Sequence, residues 1–163
     1  MNETLNLNNY DHKSYQYFPR ILWRVEHSAT QSLRNLRTGD LIASDDTRTF
    51  SDEAALRQAV EAHFDWGNRQ QSCFLSVFSD EQHARNWMKQ RESSGTGLEV
   101  YIYKIDTARL PDGVYAFTMD VVRSKIGIVN PPSNNDEVLF LHRIPGRAVV
   151  SKQSLGEIEE LGT

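Results

Sequence analysis

The apolar residues of this chain gather into short runs of strand length, and that limits it to folds in which a β-sheet carries much of the core. Ile21-Leu22-Trp23-Arg24-Val25 follows Pro19 and is rich in β-formers. Cys73 to Phe78 reads as a buried strand. Leu98 to Ile105 alternates, with Leu98, Val100 and Ile102 to one side and Glu99, Tyr101 and Tyr103 to the other, the pattern of a half-buried strand. A strand is expected near Val114 to Phe117, after the turn at Pro111 and Gly113. Val138 to His142 gives another strand, and Ala148 to Ser151 a last short one.

Helices fall between the early strands. Ser51 can cap a helix whose first turn carries Asp52 and Glu53, acids suited to the positive end of its dipole. Ala55, Leu56, Ala59, Val60 and His63 share its apolar face, and Gly67 ends it. Ser79-Asp80-Glu81-Gln82 has the form of a capping box, and the helix after it puts Ala84, Trp87 and Met88 on one face. Ser28 to Thr49 reads as a long polar loop with at most one helical turn, Ser93 to Gly97 as a turn, and Ser124 to Asp136 as a loop centred on Pro131-Pro132. Helices come early and strands dominate later, so the expectation is a single α+β domain over residues 19–155. The Asn-rich residues 1–18 read as a flexible arm, and the acidic 156–163 as a fraying tail.

Charge and cysteine content narrow the function classes. A net charge of −4 and a pI near 5.7 argue against a dedicated nucleic-acid binder. No apolar stretch reaches membrane-spanning length, and the N-terminus lacks the pattern of a secretory signal, so an intracellular, reducing setting fits best. The lone Cys73 cannot form an internal disulfide and reads as a buried, inert thiol. No Cys/His spacing suits a metal, so none is expected.

Three polar residues interrupt or border these strands. Arg24 lies within an apolar strand, where a guanidinium needs a partner; it reads either as an edge arginine in water or as a fork for a diphosphate. Ser76, inside Phe74-Leu75-Ser76-Val77-Phe78, reads either as a packed small residue or as a hydroxyl that orients a site; no Gly-x-Ser-x-Gly elbow makes it a nucleophile. Glu137 stands at the mouth of the Val138 strand beside a loop. It reads either as a solvated charge or as a carboxylate stabilising an oxocarbenium-like ribose. His27 could reach the same cleft as Arg24, and Phe78 could stack on a nicotinamide, with core packing its default. His63 reads as a hydrogen-bonded core residue, and Trp66 and Trp87 as core.

Together these pieces resemble the ADP-ribosyltransferase superfamily, in its cholera-toxin-like branch with an Arg–Ser–Glu triad. Leu22-Trp23-Arg24-Val25 is similar to that branch's first strand, Phe74-Leu75-Ser76-Val77-Phe78 to the strand of its Ser-Thr-Ser motif, and Asn135-Asp136-Glu137-Val138 with Ile144-Pro145 to the segment of its catalytic glutamate. The resemblance implies split, twisted, mixed β-sheets with flanking helices and NAD as substrate, without a metal. Arg24 and Ser76 would bind NAD and Glu137 would drive cleavage of the nicotinamide–ribose bond. Asn135 would face the acceptor, which implies a protein acceptor or water. The branch commonly has Glu or Gln where Asn135 stands, and its serine motif is reduced here to Ser76-Val77-Phe78; both departures leave room for NAD hydrolysis, another acceptor or lost activity. A second resemblance, through His63-Phe64-Asp65-Trp66-Gly67-Asn68-Arg69, Phe74-Leu75-Ser76 and Leu139-Phe140-Leu141-His142-Arg143-Ile144-Pro145, is to a domain family of filamentous fungi without an assigned activity. The rival expectations are a catalytically inactive module of the same fold for protein interaction, a 2′-phosphotransferase-like enzyme on RNA, and a structural domain of a larger assembly.

Overall fold

The computed structural model describes residues 4–27, 33–34, 37–65, 71–93, 99–131 and 134–154. The expected helix end at Gly67, Trp66, the turn over Ser94 to Gly97 and the tail at 156–163 lie outside them. The architecture is a six-stranded sheet and a three-stranded sheet with few helices, an α+β arrangement.

The large sheet uses β1 (Ile21–His27), β4 (Phe74–Phe78), β5 (Val100–Asp106), β6 (Ala116–Thr118), β7 (Glu137–Leu141) and β9 (Val149–Ser154), in the order β6-β7-β4-β1-β5-β9. The small one is β2 (Leu33–Arg34), β3 (Leu41–Ile42) and β8 (Arg143–Ile144), in the order β2-β3-β8. All pairings among the described strands are antiparallel. Two of the small sheet's strands occupy the stretch expected to be a long loop with a helical turn. Leu41–Ile42 pairs with Arg143–Ile144, a long-range contact that local sequence does not announce, and Leu33–Arg34 adds to its other edge.

The large sheet parts at its middle. β1 pairs with β5 along its whole length, from Ile21 opposite Asp106 to His27 opposite Val100, but registers with β4 only at Trp23 opposite Phe78. β4 in turn pairs fully with β7, from Phe74 opposite Leu141 to Phe78 opposite Glu137. Two well-paired halves therefore meet at a single registered pair within one sheet.

Each face of the sheet has its own cover. Side-chain alternation sends Leu22, Leu75, Val77, Tyr103, Ile105, Val138 and Phe140 to one face, where they meet Leu41 and Ile144 of the small sheet. The other face is covered in two separate patches. Helix α1 (Glu53–Phe64) packs Leu56, Ala59 and Val60 against Phe74, Leu139 and Leu141. Helix α2 (Glu81–Ser93) packs Ala84 and Met88 against Val25, Phe78 and Ile102. Ser76 and Glu137 fall at the seam between those patches.

Both helix starts carry the tripeptide Ser-Asp-Glu, and in both the aspartate does the capping. Asp52 Oδ1 accepts from the Ala55 N–H at 2.9 Å. Asp80 Oδ1 accepts from the N–H groups of Gln82 (2.9 Å) and His83 (3.3 Å). Ser51 and Ser79 were the expected caps. An ionised carboxylate is the stronger acceptor at the positive end of a helix, and the capping box does not form: the Gln82 amide donates forward to Asn86 instead.

The residues expected to form a flexible arm are docked from Leu5 onward, where the Leu5 N–H donates to the Phe50 carbonyl at 2.7 Å. Tyr10 is buried against Phe117, with ring centroids 4.9 Å apart, and Leu5, Leu7 and Tyr15 pack around the α1 cluster. Asp11 bridges Tyr115, and the Tyr15 hydroxyl donates to the Ala116 carbonyl at 2.5 Å. A few spaced apolar anchors hold the segment despite its Asn-rich composition. After β6, the expected loop from Ser124 is preceded by a helical turn at Met119–Val121 and opens with a π turn, Val122–Ile126, ended by Gly127 at a φ of 84°.

Candidate functional site

The parting of β1 from β4 is spanned by a side chain. Arg24 alternates to the side of Leu22, is only 7% exposed, and sends its guanidinium across the divide, where Nη1 donates to the Ser76 carbonyl at 2.8 Å. Its Nε donates to Glu26 Oε1, also at 2.8 Å, so the buried cation is matched by a buried carboxylate one step further along β1. The edge-arginine reading is thereby set aside: the charge is inside and partnered, as a buried guanidinium must be.

Ser76 presents its hydroxyl on the opposite side of β4. Oγ lies 3.3 Å from Glu137 Oε2, to which it donates, and 2.7 Å from Nε2 of His63 at the end of α1. Glu137 is 8% exposed and opens β7 directly opposite Phe78, so it is the diagonal neighbour of Ser76. The turn that delivers it is closed by the Glu137 N–H donating to Asn134 O at 3.1 Å. The far ring nitrogen of His63, Nδ1, lies 2.6 Å from Ser72 Oγ. Burial, with the Arg24 charge adding to it, holds the His63 pKa down at about 4, so the imidazole is neutral near pH 7.

Of the residues singled out in the sequence, Arg24, Ser76 and Glu137 are thus brought together, each one hydrogen bond from the next. Asn135 is exposed in the turn just before Glu137. Phe78 is a core residue beneath α2, 8% exposed and packed on His83 (ring centroids 4.6 Å) and Trp87 (6.5 Å), so the expected nicotinamide stacking gives way to its default packing role. His27 closes β1 opposite Val100; its side chain is outside what the structure describes. Cys73 is buried and free, and burial pushes its thiol up to about 11, which suits an inert thiol.

His63 is the member that sequence reasoning missed. The sequence reads it as a hydrogen-bonded core residue; it is hydrogen-bonded but only partly buried, and its bonds go to the site. The available signal was the pair Ser72 and Ser76, which precede and centre the strand that a helix-end histidine would overlie. A second device holds the turn. His83 Nδ1 and Asp136 Oδ2 are 2.8 Å apart, and the Ser79 N–H donates to the Asp136 carbonyl at 2.9 Å, so α2 and its leading loop grip the residue before Glu137. Among the described residues no group of three or more His, Cys, Asp or Glu could hold a metal ion, and no helix is long and apolar enough to cross a membrane.

The family model described as "Domain of unknown function (DUF7587)" matches residues 17–158. The chain belongs to the DUF7587 family. Among curated proteins none matches this DUF7587 sequence. Among solved structures the DUF7587 domain is similar to EcPltA, a pertussis-like toxin ADP-ribosyltransferase subunit, with a TM-score of 0.52 at 16% identity over 83% of this chain and 75% of that one. At that identity the likeness speaks to the fold, which is ADP-ribosyltransferase-like. Arg24, Ser76 and Glu137 of the DUF7587 chain are what that fold must be tested on for activity.

Proposed function

We propose that this domain binds NAD where β1 and β4 part and cleaves the bond between nicotinamide and ribose. The observation that carries the reading is the Ser76 Oγ–Glu137 Oε2 contact, because it couples a carboxylate to an orienting hydroxyl on the residue whose main-chain carbonyl holds the Arg24 guanidinium. The bond electrons leave with the nicotinamide nitrogen, which becomes neutral. The positive charge that develops on the ribose is matched by the Glu137 carboxylate, and water or a protein acceptor then attacks the ribose carbon and releases a proton. Ser76 keeps the carboxylate in register, Arg24 supplies positive charge toward the phosphates, and neutral His63 holds the Ser76 hydroxyl. Exposed Asn135, one residue removed from Glu137, faces the acceptor; a short neutral amide there suits NAD hydrolysis or a protein acceptor other than arginine. The ligands are NAD and that acceptor, with no metal in the chemistry.

Nicotinamide release from NAD by wild type and Glu137→Ala tests the reading. Turnover that disappears in the variant supports it. Equal rates, or neither turnover nor binding in the wild type, overturn it. A second reading is a catalytically inactive domain that keeps the fold for protein interaction, and the Arg24–Glu26 pair favours it, since Glu26 offsets the charge a diphosphate would need. Calorimetry separates the two: heat on NAD addition supports the enzyme, and none at millimolar NAD supports the module.

A further inference from the structure

The hydrogen bonds around His63 run in one direction, and they can be counted. A carboxylate oxygen only accepts, and a serine hydroxyl has a single proton to give. Ser76 Oγ faces both Glu137 Oε2 at 3.3 Å and His63 Nε2 at 2.7 Å. With its proton given to Glu137, Ser76 must accept from the imidazole, so Nε2 carries the hydrogen. The reverse order would turn oxygen lone pairs on Ser76 toward those of the carboxylate. In a neutral imidazole Nδ1 is then bare and needs a donor.

The group 2.6 Å from Nδ1 is Ser72 Oγ. That oxygen already accepts the Phe74 N–H at 3.1 Å, which leaves its own proton to give. The Ser72 carbonyl is held as well, by the Ser44 hydroxyl at 3.1 Å and the Asp45 N–H at 3.0 Å. Both ends of Ser72 are therefore fixed by neighbours outside the Arg24, Ser76 and Glu137 set. We propose that Ser72 is a positioning residue that, by donating to Nδ1, is needed to hold His63 in the tautomer the Glu137–Ser76 end calls for, with Nε2 donating to Ser76 and the Ser76 hydroxyl aimed at Glu137. The catalytic consequence rests on the NAD reading above; the hydrogen-bond order does not. The low pKa of His63 agrees with it, since the neutral ring is the form that has tautomers to choose between.

The ring-nitrogen shifts of the intact protein, labelled with 15N-histidine, test the inference by NMR near pH 7. The wild type is expected to show a protonated Nε2 and a bare Nδ1 for His63. Ser72→Ala shifts the ring toward protonated Nδ1 or a mixture, and Ser72→Thr, which keeps a hydroxyl, restores the wild-type pattern. In NAD turnover Ser72→Ala loses on the order of tenfold in kcat with KM for NAD nearly unchanged, and Ser72→Thr recovers most of it. A protonated Nδ1 in the wild type, or an unchanged tautomer in folded Ser72→Ala, overturns the proposal. The wild-type spectrum decides even where Ser72→Ala does not fold. If NAD is never turned over, the nitrogen shifts still judge the Ser72 assignment, and only the function reading falls.

Discussion

Arg24 Nη1 donates to the main-chain carbonyl of Ser76 at 2.8 Å, where β1 and β4 have stopped pairing. A side chain thereby spans a gap in the backbone ladder. The same guanidinium is ion-paired to Glu26, so its removal takes the paired cation from a carboxylate that is only 7% exposed.

Arg24→Met is therefore expected to destabilise the domain by about 3 kcal/mol, because breaking a buried ion pair from one side is the dominant loss. Arg24→Met with Glu26→Leu is expected to recover most of that. Urea unfolding of both variants measures it, and a double variant less stable than the single one contradicts the account.

Glu137→Gln keeps a hydrogen-bond acceptor for Ser76 and removes the charge. With NAD cleavage as the function, nicotinamide release falls by about 100-fold or more. The melting temperature should stay within a few degrees of wild type. A large fall in both would make Glu137 a structural residue.

His63 makes stability depend on acid. An unfolded histidine takes a proton near 6.5, whereas folded His63 resists until about 4. Between those values the unfolded chain binds more protons, so stability is fully present above about 6.5, falls as pH drops, and levels off below about 4. The whole loss is on the order of 3 kcal/mol. Urea unfolding from pH 7 to pH 4 should show that slope in wild type and a shallower one in His63→Gln.

The caps give a local test. Asp80→Ala should cost about 1 kcal/mol and Ser79→Ala a few tenths. Thermal unfolding that ranks them the other way would restore the serine as the cap of α2.

The strands were readable because each apolar run is bounded by turn residues, and Arg24, Ser76 and Glu137 stood out as polar residues in or beside such runs. What stayed hidden depends on contacts distant in sequence. The parting between β1 and β4 leaves no trace in the alternation of either strand, since both continue to alternate where they no longer pair. His63 occupies an apolar helix face, which is where a core residue would also be; only the position of Ser72 and Ser76 beneath it reveals its other attachment. The capping error was of another kind: Ser51-Asp52 and Ser79-Asp80 each offer two competent caps, and charge chose the second.

The docked N-terminal segment bears on how this domain is handled. The family match starts at residue 17, after Leu5, Leu7, Tyr10 and Tyr15. A protein trimmed to that boundary would lose the ring packed on Phe117 and the strand-edge bond to Ala116, uncovering apolar surface beside α1. Aggregation of such a fragment would then reflect the missing cover and would say nothing about its chemistry.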